Sequence, residues 1–255
     1  MVGTGAGSDR ADAEPDPFAM IARVPPSADL DGLPQSLERI CRAAVDNLAL
    51  LGAAVRLLPQ SASAGVIVAA KGPSHRLGEI EFDVGEGPGT TAYASSRPVL
   101  VSDLAGDDGN DWPGFQVAAS EQGLAAVFAF PLQVGAVTFG TLELYAAQAG
   151  PLTRSQAWLG RTFAEIAVGI LLDGGATGPE GVLSPGFLQL TENHNEVALA
   201  QGMVMVDLGV SLGEAMARMR AHAFAKGISL GELASNVVAG YLLPVEDALD
   251  PGMET

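Results

Sequence analysis

Two copies of Ser-Leu-Gly-Glu, at 211–214 and 229–232, constrain this chain more than any other feature. In each copy the Ser stands where a helix begins and the Glu stands three residues on, the pattern of a capping box. An apolar stripe follows both. Leu212, Ala215, Met216, Met219 and Ala223 run to a stop at Gly227, and Leu230, Leu233, Val237 and Tyr241 run to Pro244. A third stripe precedes them, with Val197, Ala200, Val204 and Leu208 between an N-cap pair, Asn193 and Glu196, and a stop at Gly209. Three short helices on tight connections bury their stripes only against one another. The spacing therefore predicts a three-helix bundle over 189–244.

The chain before this bundle reads differently. Residues 1–30, rich in Gly, Pro and acids, are expected to be a disordered tail. Leu37, Ile40, Ala44 and Leu48 predict a helix after Pro34. Strand character follows at 53–58 and 65–70. Strict alternation at 79–84 predicts another strand, with Ile80, Phe82 and Val84 inward and Glu79, Glu81 and Asp83 in water. A turn at 85–89 leads to a short helix at 89–95. Strands are expected at 98–102, 126–134 and 137–146, the last two joined by Gly135-Ala136 as a hairpin. Residues 103–123 read as an acidic loop. Thr153 and Gln156 cap a long helix whose stripe is Leu159, Phe163, Ile166 and Ile170. Its other face is apolar too, so it is expected to pack on the sheet and on a partner helix. That partner is the 34–48 helix, the same helix of a second subunit, or both in a four-helix dimer contact. The fold class is α+β: an antiparallel sheet flanked by helices over 31–173, a linker at 174–188, the bundle, and an acidic tail at 245–255.

Composition narrows the function classes. A net charge of −17 opposes a broad nucleic-acid surface and leaves room only for a local basic site. Cys41 is the single cysteine, so no internal disulfide forms and no Cys-rich zinc site exists. It is expected to be a buried, inert thiol. No signal peptide or membrane-length apolar run is present, and a cytoplasmic chain is expected. His75 is read as a loop histidine and His194 as a neighbour of a helix start. No Ser/His/Asp set, carboxylate pair or phosphate loop stands out, so neither an enzyme nor a cofactor or metal protein is expected.

Ala200-Gln201-Gly202-Met203-Val204-Met205, then Ala215, Met219-Arg220-Ala221 and Leu233-Ala234, resemble the ANTAR family of antitermination regulators over about fifty residues. Gly85-Glu-Gly-Pro88, Ser96-Arg-Pro-Val-Leu-Val-Ser-Asp103, Phe130-Pro-Leu132 and Gly140-Thr-Leu142 occur in an order that resembles a GAF domain. The double resemblance implies a bacterial regulator whose ANTAR helices bind tandem RNA hairpins, with a GAF domain that senses a signal or dimerises. It implies a homodimer through the GAF-domain helices. A small ligand between sheet and loops is also implied, with Phe82, Tyr93, Trp112, Phe128 and Phe130 as candidate lining; in a relative with a filled cavity the domain only dimerises.

The candidate RNA contacts are Gln201, Arg218, Arg220 and Phe224. Arg220 and Phe224 stand one helical turn apart, and an Arg beside an exposed aromatic suits stacking on unpaired bases. Gln201 replaces the Lys of the family pattern. Over 187–244 three cations face five acids. That balance keeps alternatives open: a protein-interaction module, or a small-molecule sensor, that has lost RNA binding.

Overall fold

The computed structural model describes residues 15–28, 30, 32–58, 66–69, 74–106, 111–173 and 195–240. Helices α1 (Pro17–Arg23) and α2 (Gly32–Leu48) lead into strands β1 (Gly52–Leu57) and β2 (Val66–Ala69). Helices α3 (Ser74–Val84) and α4 (Pro88–Ser95) follow, then β3 (Val99–Val101) and α5 (Pro113–Glu121). The hairpin β4 (Ala126–Val134) and β5 (Val137–Ala146) precedes α6 (Arg154–Asp173). The C-terminal bundle is α7 (Asn195–Leu208), α8 (Leu212–Lys226) and α9 (Leu230–Val238).

The five strands pair antiparallel in the order β2-β1-β5-β4-β3. Because side chains alternate across a strand, the sheet offers two faces. Ala53, Val55, Leu57, Phe128, Phe130, Leu142 and Leu144 face α2 and α6 and form the larger core with Leu37, Ile40, Leu159 and Phe163. Ala54, Val127 and Tyr145 face the other way and meet Leu77 and Ile80 of α3, Phe115 of α5 and Trp112 just before it. The result is a helix–sheet–helix sandwich. The expected capping box opens α6: Thr153 N donates to Gln156 Oε1 at 2.9 Å, and Gln156 N donates to Thr153 Oγ1 at 3.2 Å. Helix α2 packs along α6, which accounts for the second apolar face of that helix. Cys41 lies buried in this layer, and burial pushes its thiol up to about 12.

Four expectations are corrected. Part of the 1–30 segment is helical: Asp16 accepts from the amides of Phe18 and Ala19, and Val24 is buried on the main core. Residues 79–84 belong to helix α3, not to a strand. The buried positions are Leu77, Ile80 and Glu81, spaced as a helix face. A charged residue on the inward side disguised the period. The 103–123 stretch contains α5, which starts at Pro113 and buries Phe115 and Ala119 one turn apart. His75, expected in a loop, lies on α3, 3.3 Å from Glu79 one turn on.

The C-terminal core joins Val197, Ala200 and Val204 to Ala215, Met219, Leu230, Leu233 and Val237. Ser211 and Ser229 accept from the amides of Glu214 and Glu232, so both repeats cap their helices. Asn193 and His194, expected at the start of α7, lie outside the described residues, as does Tyr241.

Candidate functional site

The space between the sheet and helices α3 and α4 holds a buried charge cluster. Arg56 of β1 is the only cation in an apolar strand, and its guanidinium reaches three elements. Nε donates to Glu143 Oε1 at 2.9 Å, Nη2 to Glu81 Oε2 at 2.6 Å, and Nη1 to Thr90 Oγ1 at 3.3 Å. Glu143, on β5, also accepts from Thr141 at 2.7 Å and from the Tyr145 hydroxyl at 2.8 Å. Glu81 accepts from the amides of Gly89 and Thr90, both at 2.8 Å, and so caps α4 from a neighbouring helix. The glycines of the 85–89 turn are required by this arrangement. A Cβ on Gly87, whose φ is +154°, would lie 2.3 Å from the Glu81 carboxyl carbon, and one on Gly89 would lie 2.1 Å from Glu143 Oε1.

One cation against two acids leaves this dry cluster with an excess negative charge. Burial first, with Arg56 opposing and Glu143 adding to it, pushes Glu81 up to about 7. A carboxyl raised on folding stabilises the fold below its unfolded value, and that contribution is lost as pH rises through the folded value. Urea unfolding of the wild type is therefore expected at a lower midpoint near pH 8 than near pH 5.5. Glu81→Gln flattens that slope; an unchanged slope in the variant would refute the assignment.

The aromatic residues expected to line one pocket are not gathered in one. Phe128 and Phe130 face α2 and α6, on the opposite side of the sheet from Trp112. Alternation along β4 fixes this, because 128 and 130 are both even. Trp112 is buried and donates to Thr91 Oγ1 at 3.1 Å; Tyr93 donates to the Leu58 carbonyl at 3.1 Å. Phe82 points away from the sandwich and packs on the C-terminal core. Sequence reasoning missed Arg56, Glu81 and Glu143. A lone charge in each of two otherwise apolar strand segments, 53–58 and 137–146, was the available signal.

The four candidate RNA contacts are also separated. Gln201 is buried, and its Nε2 donates to the Leu212 carbonyl at 2.8 Å, so it faces the bundle interior. Arg218 is half-exposed and held by Glu214 Oε1 at 2.7 Å. Phe224 is 82% exposed, a large cost for an aromatic without a partner. Arg220, one turn before it, touches the N-terminal domain. Its Nε donates to the Phe82 carbonyl at 3.2 Å, and its guanidinium lies against Gly85. Burial lowers its pKa, with Asp83 opposing. Beside it, Asp83 Oδ1 accepts from the Leu230 amide at 3.0 Å, and Asp83 pairs with Arg76 at 2.9 Å. An acid of α3 thus sits at the positive end of α9, in addition to Ser229. Helix α3 joins the two regions: Glu81 turns into the buried cluster, while Phe82 and Asp83 meet the bundle.

Among the described residues no single helix is long and apolar enough to cross a membrane, and no three metal-ligating side chains converge.

A family model for the GAF domain matches residues 32–171, and one for the ANTAR domain matches residues 190–238. No curated protein sequence matches the chain. Among solved structures, a domain of a two-component sensor histidine kinase protein from Sinorhizobium meliloti is 20% identical, with a TM-score of 0.47. The match covers 58% of this chain and 95% of that one. The GAF domain of a phosphoenolpyruvate-protein phosphotransferase from Coxiella burnetii is 13% identical over 63% of this chain and 90% of that one, with a TM-score of 0.49. Free methionine-R-sulfoxide reductase from Neisseria meningitidis is 16% identical over 62% and 87%, with a TM-score of 0.46. The first model spans more than half of the chain and the second covers the capped bundle, so this protein belongs to the GAF–ANTAR family, whose two domains are a sensor and an RNA-binding regulatory module.

Proposed function

We propose that the protein is an RNA-binding transcription antitermination regulator whose GAF domain restrains the RNA-facing helix of the ANTAR bundle. One observation carries the reading. Arg220 and Phe224, the stacking pair on α8, stand where the sensor domain touches the bundle. Phe224 presents a bare ring to solvent, and Arg220 is tethered by a single carbonyl. A guanidinium held by one neutral acceptor is available for exchange onto phosphate or a base edge. Gln201 is not part of this surface; it has been absorbed into the core. The acidic surroundings make the contact small, so affinity rests on few residues rather than on a basic stripe. The same reading includes a cytoplasmic homodimer through α2 and α6, which would present two bundles to two hairpins; Trp158 and Leu172 remain exposed on α6 for it.

The test is a titration of the full chain with tandem-hairpin RNA across a salt series. Salt-sensitive binding is expected, and Arg220→Ala weakens it by about tenfold. Binding absent at every salt concentration would instead identify the bundle as a protein-interaction module.

A further inference from the structure

Between α3 and α5 of the sensor domain and α8 of the bundle lies a cleft of about 830 Å³. Its walls are apolar, with Val84, Pro113 and Val117 on one side and Ala221, Phe224 and Ile228 on the other. Five charged side chains line it, and three of them are engaged by another group. Arg76 and Asp83 pair with each other, and Asp83 also holds the Leu230 amide. Glu86 accepts from the Gly114 amide at 2.8 Å, at the start of α5. Glu121 ends the same helix at the exposed rim. The fifth is Arg220. Among the described residues no carboxylate lies within ion-pair distance of it, and its hydrogen bond to the Phe82 carbonyl occupies Nε alone.

A half-buried guanidinium whose nearby acid, Asp83, is already engaged by Arg76 and the Leu230 amide is under-paired, and proteins seldom leave one so. Its remaining donors form a fork suited to a carboxylate or phosphate. The walls and the Phe224 ring suit an apolar or aromatic body attached to that anion. We propose that this interdomain cleft binds a small organic acid, its anionic group on Arg220 and its apolar part between Val117 and Phe224. Resting on the RNA reading, the inference adds its regulation: the occupant bridges both domains and takes Arg220 and Phe224 from the transcript. A bound acid therefore lowers RNA affinity by stabilising the docked arrangement.

Phenyl phosphate and benzoate serve as probes on the full chain, with benzyl alcohol as the neutral counterpart and inorganic phosphate as the anion without a body. Calorimetry and thermal melting are expected to register saturable binding and a raised Tm for the two aromatic anions only. Arg220→Gln weakens that binding by about tenfold or more. Val117→Glu, at an exposed position of the wall, does the same by placing a like charge there, while the fold stays as in the wild type. In the wild type, phenyl phosphate weakens hairpin binding; in Val117→Glu it does not. Equal binding of benzyl alcohol, or aromatic-anion binding untouched by both substitutions, would overturn the site. A chain that binds RNA but neither aromatic anion loses this inference and keeps the RNA reading. A chain that binds the anions through Arg220 but no RNA keeps the site and loses that reading.

Discussion

Arg56→Met is expected to destabilise the sensor domain by about 3–5 kcal/mol, because it leaves two buried carboxylates without their cation. Methionine fills much of the arginine volume, so the loss reports charge rather than a cavity. Glu81 and Glu143 each accept from other groups, but Thr90, Thr141, Tyr145 and two amides cannot neutralise two charges. Glu81, already raised by burial, takes up a proton instead. The destabilisation is therefore largest above pH 7 and partly recovered on mild acidification, the reverse of ordinary acid unfolding. Urea melts of wild type and variant at the two ends of that range check both statements. An Arg56→Met domain as stable as the wild type near pH 8 would mean that the cluster is not charged as described.

Phe224→Ser is expected to weaken hairpin RNA binding by about 1–3 kcal/mol, the cost of losing one base stacked on an aromatic ring. The fold has nothing to lose at this position, because the ring is 82% exposed and sits outside the bundle core. Removing an exposed ring leaves Tm unchanged or slightly higher. The same variant should be indifferent to salt in its loss, since stacking releases no counterions, whereas the Arg220→Ala loss shrinks as salt rises. RNA shift assays at two salt concentrations separate the two contributions. Wild-type affinity in Phe224→Ser would remove the aromatic from the RNA-facing surface.

How much of this was legible in the sequence follows from what each signal encodes. The two Ser-Leu-Gly-Glu boxes specify local geometry, and both caps form as written. The hairpin at Gly135 and the Thr153–Gln156 cap are equally local. Helix α3 was not legible, because Glu81 occupies an inward position that hydrophobic periodicity counts as outward. Its burial depends on Arg56, distant in the chain, and no local pattern carries that information. The aromatic pocket failed for a related reason: composition says that rings exist, while strand parity decides which side of the sheet receives them. Family position alone makes Gln201 a surface contact. Its place beside Ala200 and Val204 on the inner stripe already pointed inward. The interdomain contact through Phe82, Asp83 and Arg220 is tertiary throughout, and no local pattern encodes it.

The central claim is that α3 holds the ANTAR bundle through Asp83 and thereby restrains its RNA-facing pair. Asp83→Ala removes the hydrogen bond to the Leu230 amide but leaves Ser229 to cap α9. One such bond is worth about 1 kcal/mol, so releasing it should shift the docked population severalfold. The direct measurement is the affinity of the full-length Asp83→Ala chain for tandem-hairpin RNA beside the wild type. The account predicts binding about threefold to tenfold tighter in the variant. Weaker or unchanged affinity, with the bundle still folded, would contradict it.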